Sequence, residues 1–279
     1  MWALQLALCV FSDFARRETR VWPTSNMAKA ALATLLAQNP FEGKKLPRHP
    51  FNLLRDVVWP ASSPFAENAE LLFAREDESD DAVFYEEPRL LLHIDDAACA
   101  TLTRHYERTL PQDSAAHLDL CSSWVSFLPT AFRPARCVGL GLNAKELAHN
   151  PVLTERVVQD LNKDFALPFP DNSFDSVTNV VSVDYMASPL TLFNEQHRVL
   201  KPGGVAIMSF SNRMFWTKAV RIWTQSSEWQ RVLVCAAYFR FCGAQYTDLF
   251  AFEITSEDGH DPMFVVQARK PVGAQQSGL

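Results

Sequence analysis

Three short clusters carry the side chains best suited to chemistry. Asp119 opens the run Asp119-Leu120-Cys121-Ser122-Ser123-Trp124, Asp160 opens Asp160-Leu161-Asn162, and Asp184-Tyr185 closes a stretch that begins at Val181. A carboxylate can accept hydrogen bonds from an amine or hydroxyl, or take a proton as a general base. Asp184 is the candidate base, and Tyr185 a wall or an orienting group; a loop or helix-cap role is the structural alternative for Asp184. Cys121 has no basic neighbour in the sequence and reads as a small buried residue rather than a nucleophile. The seven histidines show no HExxH spacing, and the six cysteines form no CxxC pair. No metal site and no disulfide frame are expected. GxGxxG after the first apolar run and GxSxG are both absent, which argues against a nicotinamide oxidoreductase and a serine hydrolase.

Each cluster follows a short apolar run. The runs are 117–121, 137–140, 156–159, 176–181 and 205–210, rich in Val and Leu and separated by helical or loop segments. That alternation reads as an α/β fold with a parallel sheet. Two closing runs, 246–255 and 263–268, flank Asp258-Gly259 and can pair as an antiparallel hairpin. Asn143 can cap a helix from Ala144, and Ser188-Pro189 can start one over 190–200. Lys201-Pro202-Gly203-Gly204 reads as a turn, and two more helices fit within 214–224 and 228–240. Asp95 or Asp96 can cap a helix whose buried stripe is Ala98, Leu102, Tyr106 and Leu110. In an open parallel sheet, ligands bind beyond the carboxyl ends of the strands. The loops beginning at Cys121, Gly141, Asp160, Val181 and Ser211 are therefore the expected site.

The chain has 279 residues, with 26 Lys and Arg against 32 Asp and Glu, a net charge of −6. That balance disfavours nucleic acid as a partner. No apolar run approaches the ~20 residues a membrane helix needs. The prolines of 39–65 point to an extended arm without long helices. The acidic run Glu76-Asp77-Glu78-Ser79-Asp80-Asp81 reads as a solvated loop.

Leu167-Pro-Phe-Pro-Asp-Asn-Ser-Phe-Asp175, followed by Glu195-x-x-Arg198-Val-Leu-Lys-Pro-Gly-Gly204, resembles the class I S-adenosylmethionine-dependent methyltransferases, in the part related to quinone and small-molecule enzymes. The resemblance spans 117–270. It implies a Rossmann-like sheet of seven strands in the order 3-2-1-4-5-7-6, strand 7 antiparallel, with an N-terminal extension. It also implies S-adenosyl-L-methionine as cofactor and a small-molecule acceptor. Asp119, Cys121, Ser122 and Ser123 would face the methionine part, Gly141 and Asn143 the ribose, and Asp160 and Leu161 the adenine, with Asn162 and Val181 also in contact with the cofactor. Tyr85 and Arg89, expected substrate residues, would belong to a lid folded over the cofactor, and Asn212 and Arg213 to the substrate mouth. Two positions depart from the family: Ser122 and Ser123 stand in a loop that is usually glycine-rich, and Gly141 stands where an acid usually holds the ribose. A non-catalytic relative that binds a partner or the cofactor is the alternative those departures leave.

The expected organisation is a terminal segment at 1–38, a Pro-rich and acidic extension with a capping helix at 39–110, the core at 111–272 and a tail at 273–279. Arg16, Arg17 and Arg20 follow an apolar start. The expected location is cytoplasmic, or a plastid or mitochondrion if that start is a transit peptide.

Overall fold

A computed structural model describes residues 27–38, 50–111, 113, 115–255 and 260–272, the side chains of 27–30 excepted. The arginines at 16–20, the prolines of 39–49, the Asp258-Gly259 turn and the tail lie outside the described residues.

Eight strands form one sheet: β1 (Phe51–Asn52), β2 (Ala116–Leu120), β3 (Arg136–Gly141), β4 (Glu155–Val158), β5 (Phe174–Val180), β6 (Leu200–Phe210), β7 (Thr247–Glu253) and β8 (Phe264–Arg269). Their spatial order is β1-β7-β8-β6-β5-β2-β3-β4. The strands β2 to β6 pair in parallel. β8 runs antiparallel to both β6 and β7. The expected count of seven is corrected to eight, because Phe51-Asn52, within the Pro-rich arm, pairs antiparallel with the edge strand β7.

Nine α-helices occur among the described residues: α1 (Met27–Ala37), α2 (Leu53–Asp56), α3 (Ala69–Leu72), α4 (Asp81–Phe84), α5 (Asp96–Thr109), α6 (Ala144–His149), α7 (Pro189–Val199), α8 (Arg221–Thr224) and α9 (Glu228–Phe241). The side-chain alternation of β6 divides the core. Ala206, Met208 and Phe210 join the layer built from α1, α7 and α9. Val205 and Ile207 join Ala98, Leu102 and Tyr106 of α5 on the opposite face. Burying such apolar stripes stabilises each layer by roughly 25 cal/mol per Å² removed from water. α1 is docked, not loose: Leu32, Leu35 and Leu36 are buried, and Trp229 Nε1 donates to the Gln38 carbonyl at 2.6 Å.

Caps set the helix starts near the sheet tips. Asp95 accepts from Ala98 N, and Asn143 accepts from Lys145 N and Glu146 N. Ser188 makes no side-chain cap; Pro189 alone occupies the first turn. Lys201-Pro202-Gly203-Gly204 is a bulge inside β6 rather than a separate turn. Leu200 pairs with Phe174 and Val205 with Ser176, and Gly203 takes φ +81° to absorb the extra residues. The expected helix over 214–224 is one short turn, α8.

Candidate functional site

One cleft lies beyond the carboxyl ends of β2, β3, β4 and β5, roofed by residues from 81 to 94 and by Phe215. Asp119, Cys121, Ser122, Ser123, Gly141, Asn143, Asp160, Leu161, Asn162 and Val181 all line it, as do Tyr85, Arg89 and Tyr185. Loops far apart in sequence meet there because parallel strands end on the same side.

The first loop solves its lack of glycine locally. Cys121 takes φ +55°, the left-handed region, while Ser122 and Ser123 do not. A non-glycine residue held there costs about 1–2 kcal/mol. Val181, at the tip of β5, takes φ +43°, a still rarer state for a β-branched side chain. Strained residues of this kind cluster at functional sites, and both of these line the cleft.

Asp119 is held from three sides. Ser122 and Ser126 hydroxyls donate to Oδ2, each at 2.7 Å, and the Thr178 hydroxyl donates to Oδ1 at 3.1 Å. Burial pushes its pKa up to about 6, against those three bonds. Behind it His117 contacts Ser176 Oγ at 2.9 Å and Thr178 Oγ1 at 3.1 Å. Burial drives that imidazole down to about 3, so it is neutral at physiological pH. Cys121 is likewise pushed up by burial, to about 12, and is no nucleophile in this state.

Asn143 is spent on structure. Its Oδ1 caps α6, and its Nδ2 donates to the Tyr85 and Glu86 carbonyls at 2.8 and 3.1 Å. It therefore straps the lid segment to the core and has no free group for a ribose, contrary to the expectation. Gly141 offers no open space either. A side chain there would overlap the Ser122 carbonyl oxygen, so the missing acid is replaced by close approach of the first loop.

The far end of the cleft does present a free acceptor. Asp160 Oδ1 accepts from Asn162 N at 2.9 Å, while Oδ2 is buried with no hydrogen-bond partner and lies 3.9 Å from Lys163 Nζ. Leu161, buried beside it, supplies apolar surface. A carboxylate oxygen without a hydrogen-bond partner beside the apolar Leu161 side chain fits a ring bearing an exocyclic amine, so Asp160 and Leu161 fit the adenine of S-adenosylmethionine.

Other expectations are corrected by placement. Asp184 is 3% exposed and does not line the cleft; it lies in a short 3-10 turn, Val183–Tyr185, that turns its carboxylate into the core. Its Oδ2 has no hydrogen-bond partner, and burial pushes its pKa up to about 7, against main-chain hydrogen bonding and the Arg231 charge. Asn212 and Arg213 also lie off the cleft. Arg213 pairs with Asp261 at 2.7 Å, and Asn212 Nδ2 is 3.5 Å from Glu228 Oε1.

Sequence reading missed the roof and its anchors. The acidic run is not simply solvated. Asp81, 5% exposed, pairs with Arg75 at 2.7 Å and with Lys218 at 3.1 Å, and it accepts from Asn162 Nδ2 at 2.9 Å. Burial works to raise its pKa, and the bonds from Asn162, Arg75 and Lys218 outweigh it and hold the group below the carboxylate range. Asn162 also donates to the Tyr185 carbonyl at 3.0 Å and accepts from Ala187 N at 2.8 Å, so one amide joins the roof to the tips of β4 and β5. Glu146 accepts from Arg89 N at 2.7 Å and from Ser123 Oγ at 2.6 Å. The Arg89 guanidinium lies 4.4 Å from the centre of the Phe84 ring and 5.0 Å from that of Phe215. His93 and Trp124 complete the wall. Only the aromatic content of 84–93 could have signalled this part from sequence. Among the described residues no group of side chains could hold a metal ion, and no helix is long and apolar enough to cross a membrane.

Comparison with known proteins finds similarity over part of the chain. Residues 121–208 match the Methyltransferase domain family. The chain is 33% identical over 116 residues to a fatty-acid O-methyltransferase of Mycolicibacterium smegmatis, covering 40% of this chain and 38% of that protein. It is 49% identical over 41 residues to a demethylmenaquinone methyltransferase of Geobacillus stearothermophilus, 15% of this chain and 18% of that one. The chain thus spans well under half the length of the curated relatives it matches. A solved S-adenosylmethionine-dependent methyltransferase from Mesorhizobium loti superposes with a TM-score of 0.45 at 19% identity, over 61% of this chain and 98% of that one. Residues 121–208, which carry the first loop, Asp160 and the tip of β5, are thus similar to the Methyltransferase domain family.

Proposed function

We propose that this protein transfers a methyl group from S-adenosylmethionine to a small-molecule acceptor. The observation that carries the reading is the cleft at the tips of β2 to β5, with the orphaned Asp160 Oδ2 at one end and the strained Cys121 and Val181 at the other. Without β1, the sheet reads as the class I order 3-2-1-4-5-7-6 with its last strand reversed. The part of the extension from 81 to 94 serves as the roof of the cleft, and the sheet from β2 to β8 with its helices as the catalytic core. The curated relatives named above are a fatty-acid and a demethylmenaquinone methyltransferase, and the aromatic roof suits an acceptor with an apolar or aromatic body.

Bound S-adenosylmethionine supplies a methyl group on a cationic sulfur, open to in-line displacement by a nucleophile. The chain's own work is alignment and exclusion of water. Asp160 and Leu161 hold the adenine, and the loop from Asp119 to Ser123 holds the methionine end. Val181 and Tyr185 form the floor beneath the acceptor. Tyr185 is kept neutral by burial, and its hydroxyl is fixed by accepting from Phe215 N at 2.9 Å.

Calorimetry with S-adenosylmethionine and S-adenosylhomocysteine tests the reading. Saturable binding is expected, weakened about tenfold or more by Asp160→Asn with an unchanged melting temperature, since one charge-assisted hydrogen bond is worth roughly 1.5–3 kcal/mol. No heat at millimolar concentrations of either compound overturns it.

A further inference from the structure

The cleft's acids are almost all engaged, and this decides which group can take a proton from an acceptor. Asp119 receives three hydroxyl donors, Glu146 receives Arg89 N and Ser123 Oγ, and Asp81 is paired with two cations. The free oxygen of Asp160 lies at the adenine end. Asp184 is outside the cleft. The phenols of Tyr85 and Tyr185 are raised by burial and stay protonated.

His93 differs from all of these. It lines the cleft, is exposed to solvent, and among the described residues no hydrogen bond or ion pair engages its ring. The main chain around it is nevertheless pinned. Trp124 Nε1 donates to the Leu91 carbonyl at 3.2 Å, and Asp95 caps α5 and accepts from Asp261 N at 2.9 Å. The imidazole meets the Phe215 ring edge-on at 5.4 Å, and the same ring lies 6.1 Å from Tyr185. His93 thus shares one aromatic wall with the tip of β5, on the acceptor side.

We propose that His93 is the general base of this site and that the acceptor is a small aromatic molecule bearing a phenol-type hydroxyl. The inference rests on the methyltransferase reading. The charged groups facing the ring are Arg89 and Glu146. Burial against the wall, and then the Arg89 charge, draw the imidazole below its usual value, while Glu146 acts the other way. The ring is therefore neutral near pH 7 and able to accept. The hydroxyl proton passes to the imidazole, and the oxygen's electron pair forms the new O–CH₃ bond. The CH₃–S bond breaks with its pair retained by sulfur, turning the sulfonium into a neutral thioether. The imidazolium then returns its proton to water, which it reaches directly. A phenol needs this help at neutral pH; a carboxylate does not. Phe215, Tyr85 and Trp124 offer flat surface for the ring.

The test uses the full chain with S-adenosylmethionine and three probes: para-cresol, para-nitrophenol and dodecanoate. His93→Gln should cut methylation of para-cresol by about 100-fold or more at pH 7, within the usual worth of a general base. It should spare para-nitrophenol near pH 8, where that phenol is already ionised, and leave S-adenosylhomocysteine affinity unchanged. Added imidazole should restore para-cresol turnover to His93→Ala. Undiminished para-cresol turnover in His93→Gln overturns the proposal, and so does transfer to dodecanoate alone. A second readout needs no turnover: carbethoxylation of His93 by diethyl pyrocarbonate, read by peptide mass spectrometry with S-adenosylhomocysteine bound. A reactive His93 at pH 7 supports the assignment; a shielded one overturns it. Absence of cofactor binding in the wild type is a separate result and sinks the methyltransferase reading itself.

Discussion

The Ser122 hydroxyl donates to Asp119 Oδ2 at 2.7 Å, within the very loop where glycine was expected. The serine is thus part of the support for a buried charge, not a filler. Because burial raises Asp119 to about 6, the folded state holds an extra proton between the ordinary carboxylate pKa and that value. Stability from this group therefore declines as pH rises from about 4 to about 6 and stays lower above. Removing a donor penalises mainly the ionised form. Ser122→Ala or Ser126→Ala should each cost about 1–3 kcal/mol near pH 8, and distinctly less near pH 5. Urea unfolding at the two pH values checks this; equal losses at both would remove the charge argument.

Gly141 and Gly139 lie on the same strand, but their substitutions should differ. An added methyl at Gly141 would overlap the Ser122 carbonyl oxygen, which belongs to the first loop's backbone. At Gly139 it would press mainly on the Leu153 side chain, which can rotate. Overpacking costs about 1–3 kcal/mol, and the backbone clash belongs at the upper end. Gly141→Ala should also displace the loop that carries Cys121 and Ser122, weakening S-adenosylhomocysteine binding about tenfold or more. Gly139→Ala should leave that affinity within about threefold. Paired calorimetry and melting curves decide; matching affinities in the two variants would contradict the geometry.

How much of this was readable in the sequence follows from where each signal lies. Val- and Leu-rich runs separated by capped helices are local, so the α/β sheet, the Asn143 cap and the closing hairpin could be read directly, and the structure chooses Asp95 over Asp96 as the cap of α5. The cleft-lining residues were legible because parallel strands end together, which turns scattered loops into neighbours. Side-chain direction was not legible. The 3-10 turn at Val183–Tyr185 sends Asp184 inward and leaves Tyr185 on the cleft, a distinction no spacing rule carries. Tertiary partners were not legible either. A run of acids beginning at Glu76 reads as solvated until Lys218 arrives from elsewhere in the chain and the adjacent Arg75 turns back onto Asp81. Asn143 was a plausible ribose ligand until Tyr85 and Glu86 claimed its amide.

Lys218 gives the sharpest stability test of the roof. It is 1% exposed, pairs with Asp77 at 3.2 Å and Asp81 at 3.1 Å, and donates to the Ser79 carbonyl at 2.7 Å. Its loss would leave Asp81 buried with Arg75 as its only cationic partner among the described residues. Removing one member of a buried pair costs about 3–5 kcal/mol, largely through the stranded charge. Lys218→Met should fall at the lower end, about 3 kcal/mol, because Arg75 remains. Lys218→Met with Asp81→Asn should recover part of that loss, since the amide still serves Asn162 and carries no charge. The linkage runs from Asp81 through Asn162 to the Tyr185 carbonyl, so the single variant should also loosen the roof. Hydrogen exchange should then rise in α4 and in the loop after β4, while α5 stays protected. Urea unfolding of the single and double variants, with exchange mapped by mass spectrometry, measures both effects. A double variant less stable than the single one would show that Asp81 is held by something other than its charge.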